Sequence, residues 1–276
     1  FLSMAHSNLT KANKRRIIDV RRVSPMSRGW VMYTLKGIAR LAAESEVLEV
    51  KNRVRYFEIP TRKFIGRSSN SRMPFEWTLN PYRGCEFGCK YCYARYAHEF
   101  MELRRAEDFE TRIFAKNFDE ARFSAELSHI PREDWIAIGT ATDPYQPAER
   151  RYCITRRILE VFARDKGRRL SITTKSDLTA RDSELLGGIA KTNVVHVHMT
   201  VTTVDAALAR LIEPYAPRPD LRLRAVRKLT DAGVRVGVFA NPILPLLNDS
   251  NESIDSVAEA ASKAGARYFS GAVVFL

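Results

Sequence analysis

The chain has 276 residues, 45% apolar and 28% charged, which is ordinary globular composition with enough material for one large domain or two small ones. It contains no apolar run of transmembrane length. The N-terminal FLSMAHSNLTKANKRRIIDVRR has no apolar stretch followed by a small-residue cleavage site, so neither a membrane span nor a secretory leader is read, and the cytoplasm is the expected location. Lys and Arg number 45 against 32 Asp and Glu, a net +13, compatible with a nucleic-acid partner and equally with a plain solvated basic surface.

Residues 1–74 lack sustained periodicity. They hold the densest basic run, Lys11 to Arg22, and a polar GRSSNSRMP stretch that reads as a loop, so 1–74 is expected to be a partly irregular, basic N-terminal extension. From there on, apolar β-branched runs alternate with amphipathic ones, and 75–276 is expected to be one strand–helix domain. Six strands are predicted, at 75–80, 135–141, 169–174, 194–202, 234–240 and 268–275. CITRRILEVFARD puts Ile154, Ile158, Leu159 and Phe162 on one helix face. In DLRLRAVRKLTDAG, Leu221, Ala225 and Leu229 form a line, Asp220 is placed to cap the start, and Gly233 falls at the C′ position. A further helix, about 252–264, ends at Gly265. Right-handed crossovers wind such units into an α/β fold, a partial (β/α)6 TIM-like barrel with an irregular N-terminal extension.

The chain has four cysteines, and three of them, Cys85, Cys89 and Cys92, crowd into NPYRGCEFGCKYCYA just beyond the first predicted strand. Strand ends are where such folds collect chemistry. A disulfide framework is a poor reading of C-x3-C-x2-C, and zinc usually takes four ligands in two pairs, of which no second is present; His98 sits in an apparent helix. An iron–sulfur cluster fits thiolates better, and three cysteines on a four-iron cluster leave one iron open to a substrate or cofactor.

With Tyr91 before the last cysteine, the motif resembles the radical S-adenosylmethionine (SAM) superfamily. LNPYRGCEFGCKYCYA, GTATDPYQPAE, ITTKS and NPILPLLND are similar to the bacterial group related to spore photoproduct lyase. The resemblance implies a 4Fe–4S cluster on Cys85, Cys89 and Cys92. It also implies SAM chelated to the open iron and cleaved to a 5′-deoxyadenosyl radical that abstracts hydrogen from substrate, with an external flavodoxin- or ferredoxin-type electron donor. Carried over by position, Tyr91 lies near the adenine and Gly139, Thr140 and Thr142 stand where the backbone receives the methionine amino group. Lys175 pairs with the methionine carboxylate, Thr200 or Thr202 reaches the ribose, and Asn241 reaches adenine or ribose.

Each residue has a plainer reading as well. Lys175 is also an ordinary strand-end lysine, the threonines are ordinary strand residues, and Tyr91 and Tyr93 also suit a water-excluding cover. His196 and His198 share a face and read as packed histidines, Cys153 as an inert thiol, and Asp143, Tyr145 and Gln146 either as rim residues or as part of a rigid proline turn. Ala141 stands where spore photoproduct lyase has its hydrogen-donating cysteine, so transfer of that repair reaction is not expected. The substrate is unassigned, with nucleic acid a candidate. The competing reading is a non-catalytic redox or structural iron–sulfur protein with a basic nucleic-acid-binding face.

Overall fold

The computed structural model describes residues 35–68 and 73–273. The basic run Lys11–Arg22, the tip of the expected loop (69–72) and the end of the sixth expected strand (274–275) lie outside the described residues. Among those described, the strands are β1 (Val47–Lys51), β2 (Val54–Ile59), β3 (Ile65–Arg67), β4 (Trp77–Leu79), β5 (Tyr82–Arg83), β6 (Arg112–Lys116), β7 (Trp135–Ile138), β8 (Arg169–Thr174), β9 (Val194–Thr200), β10 (Arg235–Ile243) and β11 (Tyr268–Val273).

They form two sheets. The larger has the order β11-β10-β9-β8-β7-β4-β3, the smaller β1-β2-β6-β5. In the larger sheet β4 and β7 to β11 run parallel and side by side in chain order, and β3 adds antiparallel to β4. β3 and β11 do not pair with each other, so among the described residues the sheet is open and no closed barrel forms.

All six expected strands are present, that at 169–174 with the expected bounds and others with shifted ends. β7 stops at Ile138 because Gly139 turns the chain at φ +90°. β9 stops at Thr200. β10 runs on to Ile243, whose pairing with Val273 resumes after a register shift. The expected division at 74/75 does not follow a break in the fold. β2 pairs with β6 and β3 with β4, and Leu35–Leu276 clusters as a compact unit of its own.

One face of the large sheet packs against helices. On β9 that face carries Val195, Val197 and Met199, buried with Ile154, Ile158, Leu159 and Phe162 of the helix Ile154–Arg164, as the periodicity requires. On the helix Pro219–Asp231 the buried line is Arg222, Ala225, Val226 and Leu229, and Leu221 is only half-buried, a one-residue rotation from expectation. Asp220 lies in the first turn and not at the cap, drawn to Arg218 and Arg224, because Pro219 already opens the helix. Gly233 and Gly265 take the left-handed C′ positions, at φ +83° and +87°.

The other face carries His196 and His198. The ring of His196 packs 4.9 Å from that of Trp135. His198 stacks on Phe239 at 4.4 Å, and its Nδ1 lies 2.9 Å from the Tyr268 hydroxyl. Gly237 makes room for this group, since a Cβ there would stand 2.1 Å from the Tyr268 ring. These are packed histidines.

Burial lowers the pKa of His198 to about 4, and burial likewise lowers that of His98, which bonds the Arg112 carbonyl, to about 4. The unfolded rings take up protons below about pH 6.5 while the folded ones do not. Both contributions are therefore complete above pH 6.5 and are lost as the pH falls through 4, by up to about 3 kcal/mol per histidine. Urea midpoints between pH 7.5 and 4 should fall along this curve, and His198→Asn should flatten it.

Candidate metal centre and its surroundings

The cysteine loop leaves β5 through Gly84, at φ +81°, where a Cβ would meet the carbonyl oxygens of Phe109 at 2.8 Å and Arg112 at 2.9 Å. Only glycine fits so close to backbone. Cys85 N–H then donates to Phe109 O at 2.9 Å. Thr142 and Gln146 both donate to Gly84 O, and Gln146 Oε1 accepts from Glu86 N–H at 3.1 Å. Glu86 in turn accepts from Ala148 N–H at 2.8 Å and from the Tyr56 hydroxyl at 2.7 Å. The TDPYQP stretch thus braces the cysteine loop, combining its two earlier readings.

Farther along, Gly88 turns at φ +62° against the Tyr215 ring. Lys90 N–H donates to Ile212 O at 2.9 Å and Tyr215 N–H to Phe87 O at 3.2 Å. Arg95 donates to Cys89 O at 3.0 Å while its guanidinium pairs with Glu110 at 2.6 Å. His98 points to the Arg112 carbonyl and not to the cysteines.

Cys89 is buried, Cys85 and Cys92 half-buried, and all three are free thiols. Burial raises each pKa, with Asp143 adding to the rise at Cys85. Cys89 is pushed up to about 12 by burial, with Lys175 pulling the other way. Thiols in such a loop ionise when a metal supplies the compensating charge. Among the described residues no three His, Cys, Asp or Glu side chains are grouped to hold a single ion. Thiolates sharing one tetrahedral metal would lie about 4 Å apart, whereas a cluster takes each on a different iron and spaces them wider. Thiolates are the natural ligands of an iron–sulfur cluster, and three of them on one loop fit that donor chemistry.

Around the thiols charge comes from Lys175, just past β8, from Glu213, just after the helix Ala206–Ile212, and from Arg222 on the helix Pro219–Asp231. Lys175 Nζ lies 5.5 Å from the centroid of the Tyr91 ring. Burial works against its charge, but Cys89 and Glu213 raise its pKa. Lys175 N–H and the Thr174 hydroxyl bond Asp143, both at 2.7 Å, which fixes the strand end. Glu213 is a hub that the sequence reading missed. Fully buried, it pairs with Arg222 at 2.6 Å and accepts from Thr202 at 3.1 Å and from the Tyr91 hydroxyl. Burial opposes its charge, yet Arg222 and Lys175 hold the carboxyl below the usual range. The available signal was Arg222 itself, a cation on the apolar stripe of its helix, which demands a buried partner.

Other candidates have local duties. A Cβ at Gly139 would stand 2.6 Å from both Pro144 and Thr173 O. Thr140 Oγ1 accepts from Asn80 at 3.0 Å, and its carbonyl accepts from Tyr93, which is 72% exposed and covers little. Thr200 is buried, its carbonyl bonded by Arg222 at 3.1 Å. Asn248 donates to Thr202 O at 2.7 Å. Asn241, within β10 just before its end at Ile243, differs: its buried Oδ1 has no partner among the described residues. Such an orphan acceptor, costly if dry, suits a ligand donor. Cys153 has Arg181 as its neighbour, Nη1 to Sγ 3.8 Å, and Ala141 donates its N–H to Asn80 at 2.9 Å.

A family model described as the radical SAM superfamily matches residues 79–261, and the chain belongs to that superfamily. Membership implies a 4Fe–4S cluster and SAM. An uncharacterised protein of Mycobacterium tuberculosis is 34% identical over 224 residues, which is 80% of this chain and 65% of that protein. The chain thus spans just under two thirds of that relative. Spore photoproduct lyase with bound SAM and dinucleoside spore photoproduct superposes with a TM-score of 0.56 at 16% identity, over 74% of this chain and 57% of that one. SuiB of Streptococcus suis bound to precursor peptide SuiA gives 0.52 at 17%, over 72% and 39%. These two likenesses concern the fold. No helix among the described residues is long and apolar enough to cross a membrane.

Glu213→Gln should destabilise the protein by about 3–5 kcal/mol, since it leaves Arg222 a buried unpaired cation. Urea unfolding of the variant beside Glu213→Gln/Arg222→Met, which removes both charges and should recover much of the loss, checks this.

Proposed function

We propose that the chain is a radical SAM enzyme whose open sheet is a partial (β/α)6 barrel, with the cysteine loop and the cofactor at the C-terminal ends of its strands. Cys85, Cys89 and Cys92 would hold a 4Fe–4S cluster and leave one iron for the amino and carboxylate groups of SAM. When bound, the pair supplies one-electron chemistry that ends in hydrogen abstraction from substrate. The observation that carries the reading is a cation, Lys175, in electrostatic reach of the buried Cys89 thiol, on a sheet whose strand β10 also holds a buried, unsatisfied acceptor, Asn241 Oδ1.

The chain's own residues divide the work. Lys175 offers the positive charge a carboxylate needs, with its backbone immobilised by Asp143. Tyr91, tied to Glu213, walls the loop from water with its ring against that lysine. Thr200 and Asn241 offer hydroxyl and amide partners for a ribose or an adenine. Thr142 and Gly139 act through the loop and turn they shape. A cytoplasmic setting and an external flavodoxin- or ferredoxin-type reductant belong to this reading.

The substrate class is left to the test, with nucleic acid ahead of peptide on the charge surplus. No fourth cysteine stands at Ala141, so hydrogen return by a thiol there is not part of the proposal.

Protein purified without oxygen, reconstituted with iron and sulfide and reduced should turn brown and form 5′-deoxyadenosine from SAM, and Cys89→Ala should not. Lys175→Met and Asn241→Ala should keep the cluster absorption and weaken SAM binding by about tenfold each, the loss of one good polar contact. An intact cluster that neither binds nor cleaves SAM would favour the redox or structural reading.

A further inference from the structure

The small sheet has its own chemistry. Arg83 on β5 and Lys116 on β6 point to the face opposite Tyr82, Ile113 and Ala115, which belong to the main core. There the helix Gly37–Glu44, the segment after β2 and these two strands enclose a cavity of about 340 Å³ lined by Arg40, Arg62, Lys63, Arg83 and Lys116. Its size is at the small end of the range for ligand pockets, about 300–1,000 Å³. No carboxylate lines it. Arg40 reaches Glu44 at 3.8 Å. The other four cations have no ion-pair partner among the described residues.

Lys116 is the telling residue. It is only 8% exposed, and its amine has no hydrogen bond or ion pair among the described residues; the Phe64 ring lies 5.9 Å from Nζ. Glu126, the carboxylate that acts on it electrostatically, accepts at Oε2 from the N–H groups of Phe64 at 2.8 Å and Ile65 at 3.1 Å and makes no ion pair or hydrogen bond with the amine, although its Oε1 has no hydrogen-bond partner among the described residues. Burial and the neighbouring Arg83 lower its pKa to about 7, with Glu126 opposing. A buried ammonium facing a cavity of like charges is unfavourable on its own, and a bound anion reverses the sign of the repulsion. Arginine forks beside a lysine point charge are the usual means of holding phosphoryl oxygens.

We propose that this cavity is a binding site for a phosphoryl-bearing ligand, held by Lys116 and Arg83 inside and by Arg62 and Lys63 at the mouth. The phosphoryl group comes from a free small molecule or from a nucleic-acid end; the recognition chemistry is the same. The site shares no residue with the cysteine loop.

Calorimetric titration of the reconstituted full chain with inorganic phosphate, against sodium chloride of equal ionic strength, tests the site. Phosphate should bind, and Lys116→Met and Arg62→Ala/Lys63→Ala should each weaken it by about tenfold or more, equal to about 1.4 kcal/mol. Lys116→Met removes a buried charge and the double variant changes exposed positions, so both should melt no lower than the parent. Absence of phosphate heat in the parent, or unchanged affinity in both variants, overturns the proposal. With the phosphate result in hand, an oligonucleotide that binds only when 5′-phosphorylated, and that phosphate displaces, identifies a strand end as the source. Equal binding with and without the 5′-phosphate, undisturbed by phosphate, identifies a small molecule.

Discussion

Gly84 has no room for a side chain, and the candidate site depends on that constraint. With backbone carbonyls of Phe109 and Arg112 within 3 Å of a would-be Cβ, the chain passes from β5 into the cysteine loop by a path no other residue can follow. The Gly84 carbonyl is then available to Thr142 and Gln146, and the next N–H, that of Cys85, to Phe109. The loop is shaped by protein hydrogen bonds before any metal is considered. That matters for thiols kept neutral by burial, because a preformed loop spares the cluster the work of ordering its own ligands.

The second element is electrostatic. Glu213 and Arg222 are both buried and sit close to Lys175 and Tyr91. A buried pair is weak evidence for stability, since hydrophobic replacements often do as well. Its position behind Tyr91 gives it another use. The carboxylate accepts the Tyr91 hydroxyl and contributes to the raised pKa of Lys175. The carboxylate thereby holds the Tyr91 ring and supports the charge of Lys175, both within electrostatic reach of Cys89, while Arg222 keeps the carboxylate itself ionised.

How much of this was legible in the sequence depended on the range of the interactions. Strand–helix alternation is local, so six strands and the buried face of Ile154–Arg164 could be read directly. The cysteine spacing is local as well. Pairing between β3 and β4 or between β2 and β6 joins short strands with weak pattern, and so this stretch looked irregular, although most of the described residues 35–68 belong to strands or to the helix Gly37–Glu44. Glu213 was missed because its partner Arg222 lies on another element, so the one signal, a cation on an apolar helix stripe, pointed to a buried acid without saying which. Gln146 was seen as a rim or turn residue and Thr142 as part of a backbone edge for SAM; only the fold shows both serving the cysteine loop by bonding Gly84.

Charge was the least legible feature. The charge surplus was compatible with a plain solvated basic surface, yet Arg150, Arg151, Arg156, Arg168, Arg222 and Arg224 each meet a carboxylate. Residues 1–34 hold seven Lys and Arg against a single Asp, so a good part of the surplus lies outside the described residues. Among those described, four cations without an ion-pair partner, Arg62, Lys63, Arg83 and Lys116, line one cavity of the small sheet, and no acid lines it with them. Net charge states how many cations are in excess, and only packing states which of them lack partners. The distinction separates a general affinity for polyanions, which salt abolishes, from a pocket that selects one anionic group by desolvating the cation that meets it.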